Sequence, residues 1–290
     1  MRIGFAGLGR MGAPMASNIA KRLPNTELTL WNRSADKAEA LAKSLDCSVA
    51  ASPKALSDAS DIVITMLADD PSSEIVHLAE DGLFQGSART FVEMGTMSPS
   101  HIDILVKSGP DGARIVDAPV SGATQAAADA DLLIMAGCNE QDGQDLKPVL
   151  KALGRKTVFL GRSGAGAIMK LAVNSMIHGI NQTLAEAMSL AEAAGIARED
   201  AFDTIEQSAA CAPMLRYRRP LYLDEANHDV TFTVDLALKD MKITATLADQ
   251  LKSAMPQGHV TLDKLRAAQA HGYGERDMAA MLDYMRKERP

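Results

Sequence analysis

The chain has 290 residues, 47% of them hydrophobic, and a net charge of −7, a length that suits two domains better than a single core. Its charged residues are dispersed without a basic stripe, which argues against a nucleic-acid partner. Three distant cysteines, Cys47, Cys138 and Cys211, do not suit a complete disulfide framework. The densest basic cluster is RYRRP at 216–220, for which we expect a solvated or subunit-facing surface rather than an anion site.

The start of the chain and the longest helical run indicate where in the cell the protein is expected. A glycine-rich turn follows RIGFAG directly, where a secretory signal would have an apolar stretch and a cleavage site. The longest helical run, near 166–194, contains Lys170, Asn174, His178 and Glu186, which a membrane-spanning helix would not carry. We therefore expect a cytoplasmic protein without a membrane partner.

The first half alternates short apolar runs with helical segments. RIGFAG, a helix near 11–22, LTLWN and a helix near 35–45 follow a βαβ rhythm. Near-continuous apolar runs such as DIVITML suit strands buried on both faces of a parallel sheet. The further predicted strands are DIVITML (61–67), TFVEMG (90–95), RIVDAP (114–119), DLLIMAG (131–137) and TVFLG (157–161).

The second half predicts an all-helical domain, because no strand pattern appears after Ala165. Apolar residues recur at helical spacing from Ala167 to Ala194, and Gly195 follows as a C-cap. A helix of about 28 residues would be about 42 Å long, so we expect it to bridge the domain boundary. Shorter helices are predicted near 198–208, 233–252, 257–270 and 274–288, with irregular chain around Pro213, Pro220 and Asn227.

A glycine pattern closes the first strand. Gly7, Gly9 and Gly12 form GxGxxG between a strand and a helix, which permits a tight turn, close approach of a pyrophosphate and close packing of helix on strand. The helix N-terminus then offers free N–H groups to phosphate. The pattern predicts a dinucleotide-binding Rossmann domain over 1–163, followed by an all-α domain over 164–290 that begins with the long interdomain helix.

The end of the second strand indicates which dinucleotide is used. NAD-dependent enzymes place an acidic residue there for the ribose hydroxyls, but this strand ends in Asn32, Arg33 and Ser34, and Asp36 comes too late. An arginine followed by a hydroxyl can hold a 2′-phosphate through charge-assisted hydrogen bonds. NADP(H) is therefore favoured over NAD(H).

Lys170 and Asn174 lie four residues apart on the long predicted helix, so their side chains leave one face about one turn apart. A lysine that faces the cofactor can give a proton to a carbonyl oxygen and, in reverse, remove a hydroxyl proton. The spacing alone favours a solvated lysine over a catalytic one, because most lysines on helices are solvated.

Five ordered motifs span the chain and add to this interpretation. They are GLGRMGAPMASNIAK at the start, EMGTMSP at 93–99, DAPVSGA at 117–123, GAGAIMKLAVN at 164–174 and LALKDM at 236–241. In these motifs the chain resembles the β-hydroxyacid dehydrogenase family, which includes 3-hydroxyisobutyrate dehydrogenases and semialdehyde reductases. The resemblance implies hydride transfer between NADP(H) and a small carboxylate-bearing 3-hydroxy acid or semialdehyde.

The resemblance also implies roles for individual residues. Lys170 would be the general acid/base, and Asn174 would hydrogen-bond the substrate. Ser121 and Gly122, followed by Ala123, would bind the substrate carboxylate. Phe232 and Asp240 would close the substrate pocket. The cofactor would be bound by the glycine loop (Gly7, Leu8, Gly9, Arg10, Met11, Gly12), by Asn32, Arg33 and Ser34, by Met66 and Leu67, by Thr96 near the nicotinamide and by Lys239 near its ribose.

One motif departs from the family pattern. Ala123 stands where the family usually has a second glycine after Ser-Gly, and Thr124 follows. An added Cβ narrows the expected carboxylate pocket, so the identity of the hydroxy acid stays open among 3-hydroxyisobutyrate, succinic semialdehyde, glyoxylate, tartronate semialdehyde and β-hydroxy amino acids.

Two alternatives of different kinds remain. An imine reductase uses a similar scaffold but generally lacks the lysine, and a non-catalytic dinucleotide-binding module would also have lost it. Lys170 argues against both.

No group of His, Cys and carboxylate residues has metal-ligand spacing, so no metal is expected. The alanine- and methionine-rich surface of the long helix predicts a homodimer or homotetramer.

Overall fold

The computed structural model describes residues 1–288, which divide into two compact units, one covering Met1–Lys170 and one that begins at Leu171. We call them the first and second unit. The boundary falls within the long helix that the sequence predicts.

The first unit is built on a six-stranded parallel sheet. Its strands are β1 (Arg2–Ala6), β2 (Glu27–Trp31), β3 (Ser48–Val49), β4 (Ile62–Thr65), β5 (Thr90–Glu93) and β6 (Arg114–Asp117). They lie in the order β3-β2-β1-β4-β5-β6, the strand order of a doubly wound dinucleotide-binding sheet. The connecting helices are α1 (Gly12–Arg22), α2 (Ala35–Leu45), α3 (Pro53–Asp58), α4 (Asp70–Leu78) and α5 (Pro99–Ser108).

Burial explains why these strands read as apolar runs. Every residue of β4 is buried, with Ile62 and Ile64 in one hydrophobic cluster and Val63 in another. Alternate residues of a strand point to opposite faces, so the two clusters cover both faces of the sheet. The predicted Rossmann fold is confirmed.

A second, three-stranded sheet follows in the first unit. It consists of β7 (Val120–Ser121), β8 (Leu132–Ala136) and β9 (Gly154–Phe159), in the order β7-β8-β9, with β7 antiparallel to β8. Helices α6 (Thr124–Ala128) and α7 (Lys147–Leu153) connect these strands. The sequence predicts β8 and β9, but β3 and β7 have only two residues each and are too short to leave a pattern.

The long predicted helix is α8, Ala165–Ala193, with 29 residues. Gly195 follows its end with a φ of +85°, which lets the Ile196 N–H reach the Ala191 carbonyl at 3.1 Å, as a C-cap requires. The other longer helices are α9 (Arg198–Gln207), α12 (Val234–Leu251), α13 (Pro256–Ala268) and α14 (Met281–Lys287). Within the described second unit the only strand-like pairing is an isolated bridge between Thr233 and Asp277, so the all-helical prediction is confirmed.

Two local predictions are wrong. The chain near Pro213 and Pro220 forms short helices, α10 (Pro213–Tyr217) and α11 (Arg219–Asp224), because each proline lies in a first turn, where its missing N–H costs nothing. The helix expected over 274–288 is confined to a 3₁₀ turn at Met278–Ala280 followed by α14.

No helix in the described part of the chain combines the length and the apolar character that crossing a membrane would require.

Candidate cofactor and substrate site

The predicted cofactor residues of the first unit lie at one edge of the sheet. Parallel strands present their carboxyl ends at the same edge, where doubly wound folds bind their ligands. The glycine loop follows β1, Asn32 to Ser34 follow β2, Met66 and Leu67 follow β4, and Thr96 follows β5.

The glycine loop has the backbone that the motif demands. Gly7 has a φ of +94°, and a Cβ on Gly12 would collide with the Gly7 carbonyl oxygen. A Cβ on Gly9 would meet no atom within 4 Å, so Gly9 faces open space. No side chain caps α1, and its first turn carries no acidic residue. These features fit a pyrophosphate held by backbone N–H groups.

The end of β2 is tied to the glycine loop. The Leu8 N–H donates to Asn32 Oδ1 at 2.9 Å, and Asn32 Nδ2 donates to the Ser34 carbonyl at 3.0 Å. Arg33 and Ser34 are exposed beside a cavity of about 430 Å³ that Trp31, Asn32 and Arg33 help to line. A guanidinium and a hydroxyl at this place form a donor set that suits a phosphate.

Thr96 lies in a loop that two carboxyl groups hold. The Gly95 N–H donates to Glu93 Oε1 at 3.1 Å, and the Ser98 N–H donates to Asp70 Oδ1 at 2.9 Å. Thr96 itself is half-buried between these two anchors. The loop is therefore fixed on both sides of the residue expected near the nicotinamide.

Glu93 belongs to a buried polar cluster that the sequence analysis did not identify. Ser73 Oγ donates to Glu93 Oε2 at 2.8 Å and lies 3.2 Å from His77 Nδ1. Burial raises the pKa of Glu93 to about 7 and lowers the pKa of His77 to about 4, because a dry environment disfavours the charged form of each. In the sequence, the feature that could have indicated this cluster is the single acidic residue at the end of the apolar strand TFVE.

The predicted carboxylate-binding residues lie between β7 and α6. Ser121 is the last residue of β7 and is half-buried, whereas Gly122 is exposed. Gly122 has a φ of +140°, and a Cβ there would lie 2.8 Å from the Ala126 Cβ. Ala123 precedes α6 with an extended backbone. The turn thus presents a hydroxyl and backbone N–H groups, which suit an anion.

Asp117 holds the start of α8. Its buried carboxyl accepts the N–H groups of Gly164 and Ala167, each at 2.8 Å. Gly137 and Gly166 fit around it, since a Cβ on either would collide with neighbouring oxygen atoms. Lys170 lies three residues after Ala167 and is half-buried. Asp117 therefore fixes the first turn of the helix that carries the predicted acid/base residue, a role that the sequence analysis did not assign.

The predicted residues of the second unit form a compact polar cluster. Asn174 Nδ2 donates to Asp240 Oδ2 at 2.6 Å, and Lys239 Nζ lies 3.2 Å from Asp240 Oδ1. His178 Nε2 is 3.9 Å from Asp240 Oδ2, and its ring stacks on Phe232 with centroids 5.7 Å apart. Asn174, His178 and Asp240 are all buried. Four predicted residues and one unassigned histidine are thereby brought together.

A buried ion pair holds the segment that carries Phe232. Arg218 pairs with Asp277, and both are buried. Asp277 Oδ2 also accepts the N–H groups of Thr231 at 2.9 Å and of Phe232 at 3.2 Å. The expectation of a solvated or subunit-facing surface at 216–220 is wrong for Arg218, because a charge pattern does not show which arginine has a buried partner.

No group of three or more His, Cys, Asp or Glu residues that could hold a metal ion occurs among the described residues.

Two family models of known proteins match the chain, one over most of the first unit and one over most of the second. Residues 2–161 match the family model described as the NAD binding domain of 6-phosphogluconate dehydrogenase, and residues 164–285 match the NAD-binding domain of NADP-dependent 3-hydroxyisobutyrate dehydrogenase.

Full-length relatives show the same relationship. The chain is 28% identical to glyoxylate/succinic semialdehyde reductase 2 of Arabidopsis thaliana, over 98% of this chain and 79% of that protein. It is 31% identical to the mitochondrial 3-hydroxyisobutyrate dehydrogenase of Drosophila melanogaster, over 99% and 90%. A solved structure of Mycobacterium tuberculosis 3-hydroxyisobutyrate dehydrogenase with L-serine superposes with a TM-score of 0.83 at 26% identity, over 98% of this chain and 99% of that one.

The sheet, the glycine loop and these matches define a nicotinamide-dinucleotide-dependent oxidoreductase. Within that class, the chain belongs to the β-hydroxyacid dehydrogenase family.

Proposed function

We propose that the chain transfers hydride between NADP(H) and a small 3-hydroxy acid or semialdehyde that bears a carboxylate. The observation that carries this proposal is the pair Lys170 and Asn174, one turn apart on α8. Asp117 holds the start of that helix, and Asp240 holds the Asn174 amide. The names of the relatives, which act on hydroxy acids or semialdehydes, support the same substrate class.

Lys170 is the proposed proton-transfer group. When bound, the nicotinamide supplies or accepts the hydride. The Lys170 ammonium gives a proton to the substrate oxygen as a carbonyl is reduced, and the neutral amine takes that proton back when a hydroxyl is oxidised. In the chemical step itself, the protein therefore has to supply or accept only the proton.

Asn174 is the proposed substrate ligand. Its Nδ2 donates one hydrogen to Asp240, which fixes the orientation of the amide. The second N–H of Nδ2 and the lone pairs of Oδ1 then remain for the substrate. Ser121 and Gly122 are the proposed carboxylate ligands, through a hydroxyl and a backbone N–H.

The proposed preference for NADP(H) rests on the end of β2. Arg33 and Ser34 are exposed there, and the first acidic residue, Asp36, lies within the first turn of α2. A 2′-phosphate would find a cation and a hydroxyl at this place, and no acidic residue stands directly after the last residue of β2 to repel it.

A substrate panel tests the proposed function. NADPH oxidation is followed at about 340 nm with short semialdehydes, glyoxylate and a cyclic imine, and NADP⁺ reduction is followed with 3-hydroxy acids and β-hydroxy amino acids. We expect turnover with carboxylate-bearing substrates in both directions. Turnover with the imine alone would show an imine reductase, and stoichiometric NADPH binding without turnover would show a non-catalytic module.

A further inference from the structure

Glu93 is a buried acid directly beneath the loop that carries Thr96. Its Oε1 accepts the Gly95 N–H at 3.1 Å, one residue before Thr96, and its Oε2 accepts the Ser73 hydroxyl at 2.8 Å. The side chain is 1% exposed. The proposed mechanism gives Glu93 no task, although buried acids are rare without a partner cation.

The groups around Glu93 leave its charge uncompensated. Asp70 and His77 face it from α4, and His101 of α5 lies near His77. Asp117 is its neighbour in register on β6. Asp70 and Asp117 are acidic, and burial keeps His77 neutral by lowering its pKa to about 4. Within residues 1–288 no lysine or arginine forms an ion pair with Glu93.

The hydrogen bonds of Glu93 do not depend on its ionisation. Oε1 accepts from Gly95 as a carboxylate oxygen or as the carbonyl oxygen of the neutral acid, and Oε2 can exchange donor and acceptor roles with the Ser73 hydroxyl. Ionisation therefore changes the charge beneath the loop while the loop keeps its anchor. The consequence for a ligand at Thr96 is electrostatic.

We propose that Glu93 sets the relative affinity of the protein for oxidised and reduced cofactor. The inference rests on the proposed function, in which Thr96 contacts the nicotinamide. The oxidised nicotinamide ring carries a positive charge and the reduced ring does not. A carboxylate fixed in a dry environment close to the ring therefore attracts the oxidised form selectively. Glu93 acts on the ring through its electrostatic field while it anchors the loop, so it is a positioning residue.

The direction of the pH dependence follows from reciprocal linkage. The pKa of Glu93 is raised to about 7, so the group is neutral in mild acid and ionised in mild base. Oxidised cofactor should gain affinity over reduced cofactor as the pH rises through this region. Its binding should in turn release a proton from Glu93.

The test measures the dissociation constants of NADP⁺ and NADPH by calorimetric titration at about pH 6 and about pH 8.5. The 2′-phosphate is common to both cofactors, so its titration cancels from the ratio of the two constants. For the wild-type protein we expect the ratio of the NADP⁺ to the NADPH dissociation constant to fall by roughly tenfold between the two pH values.

Two variants distinguish the effect of the Glu93 charge from the effect of its hydrogen bonds to the loop. Glu93→Gln keeps an acceptor for Gly95 and a group that can bond Ser73, so we expect both cofactors to bind with a ratio that changes by less than about twofold. Glu74→Gln, an exposed glutamate of the same helix as Ser73, should keep the wild-type dependence.

The contradicting outcomes are distinct. A wild-type ratio that stays constant with pH would overturn the role of Glu93, even if Glu93→Gln fails to fold, and would leave the proposed reaction intact. The same pH dependence in Glu93→Gln and in the wild type would also overturn it. Failure of both cofactors to bind would overturn the proposed function together with this inference.

Discussion

Burial acts in opposite directions on two neighbouring residues of the first unit. The Glu93 carboxyl and the His77 imidazole both contact Ser73, and the dry surroundings favour the neutral form of each. For Glu93 this raises the pKa from 4.5 to about 7. Below the pKa of the unfolded state, near 4.5, the buried Glu93 costs no stability. The free energy of unfolding falls as the pH rises from there to about 7.

Glu93→Gln should therefore stabilise the first unit in base and not in acid. A shift from 4.5 to about 7 corresponds to a stability loss of roughly 3 kcal/mol above neutral pH, which the neutral amide avoids. Denaturant unfolding of the wild type and the variant at about pH 5 and about pH 8 measures this difference. A variant that is no more stable than the wild type at the higher pH would contradict the account.

The cofactor preference also belongs to a single residue. Arg33→Asp removes the proposed partner of the 2′-phosphate and adds repulsion, so the ratio of kcat/KM for NADPH to that for NADH should fall by at least about tenfold. Lys43→Asp is the matched control, because it makes the same charge change at an exposed position in the last turn of α2. An unchanged ratio in Arg33→Asp would refute the assignment to NADP(H).

At the scale of elements, most helices and strands follow from periodicity, and the exceptions have physical causes. α2 and α8 fall within two residues of their predicted bounds, because apolar residues at helical spacing leave a long pattern. Gly195 also marks the end of α8. β3 and β7 do not leave one, since a pair of hydrogen-bonded residues is fixed by the strand beside it.

Some site residues could likewise be predicted from the local sequence, and others could not. The glycine loop was predictable because each glycine answers a local backbone requirement. Arg218 and Asp277 are 59 residues apart in sequence, and Asp117 reaches Gly164 across 47. Such partners are chosen by tertiary packing, so no local pattern predicts them.

A hydrogen bond joins Asn174 of α8 to Asp240 of α12. Asp240→Asn replaces a charge-assisted hydrogen bond to Asn174 by a neutral one, and the Asn174 amide loses its fixed orientation. We expect kcat/KM for the substrate to fall by about 10- to 100-fold. Asp249→Asn, on the exposed side of α12, is the control. Full activity of Asp240→Asn would show that Asp240 does not orient Asn174.

At the scale of the whole molecule, α8 leaves apolar surface uncovered. Met176 and Leu190 are 69% and 74% exposed, and Met176 borders an apolar cavity of about 610 Å³ that Ile180, Leu184 and Met255 also line. Apolar surface of this kind marks contacts with other chains. We therefore propose that a second copy of the chain covers it.

Sedimentation at micromolar concentration tests the assembly. We expect a dimer or tetramer for the wild type and a smaller species for Met176→Glu combined with Leu190→Glu, because two carboxylates would be buried. Ile75→Glu, at a residue of the first unit that is 68% exposed, should leave the assembly unchanged. A monomeric wild-type protein would contradict this proposal.

We propose that Lys170 transfers the proton during hydride transfer to the carbonyl of a carboxylate-bearing substrate. The most direct measurement compares kcat of the wild type, Lys170→Ala and the exposed-lysine control Lys151→Ala on the best substrate of the panel, with NADPH binding measured in parallel. We expect Lys170→Ala alone to lose about 10²- to 10⁴-fold in kcat and still to bind NADPH. Turnover by Lys170→Ala at the wild-type rate would contradict it.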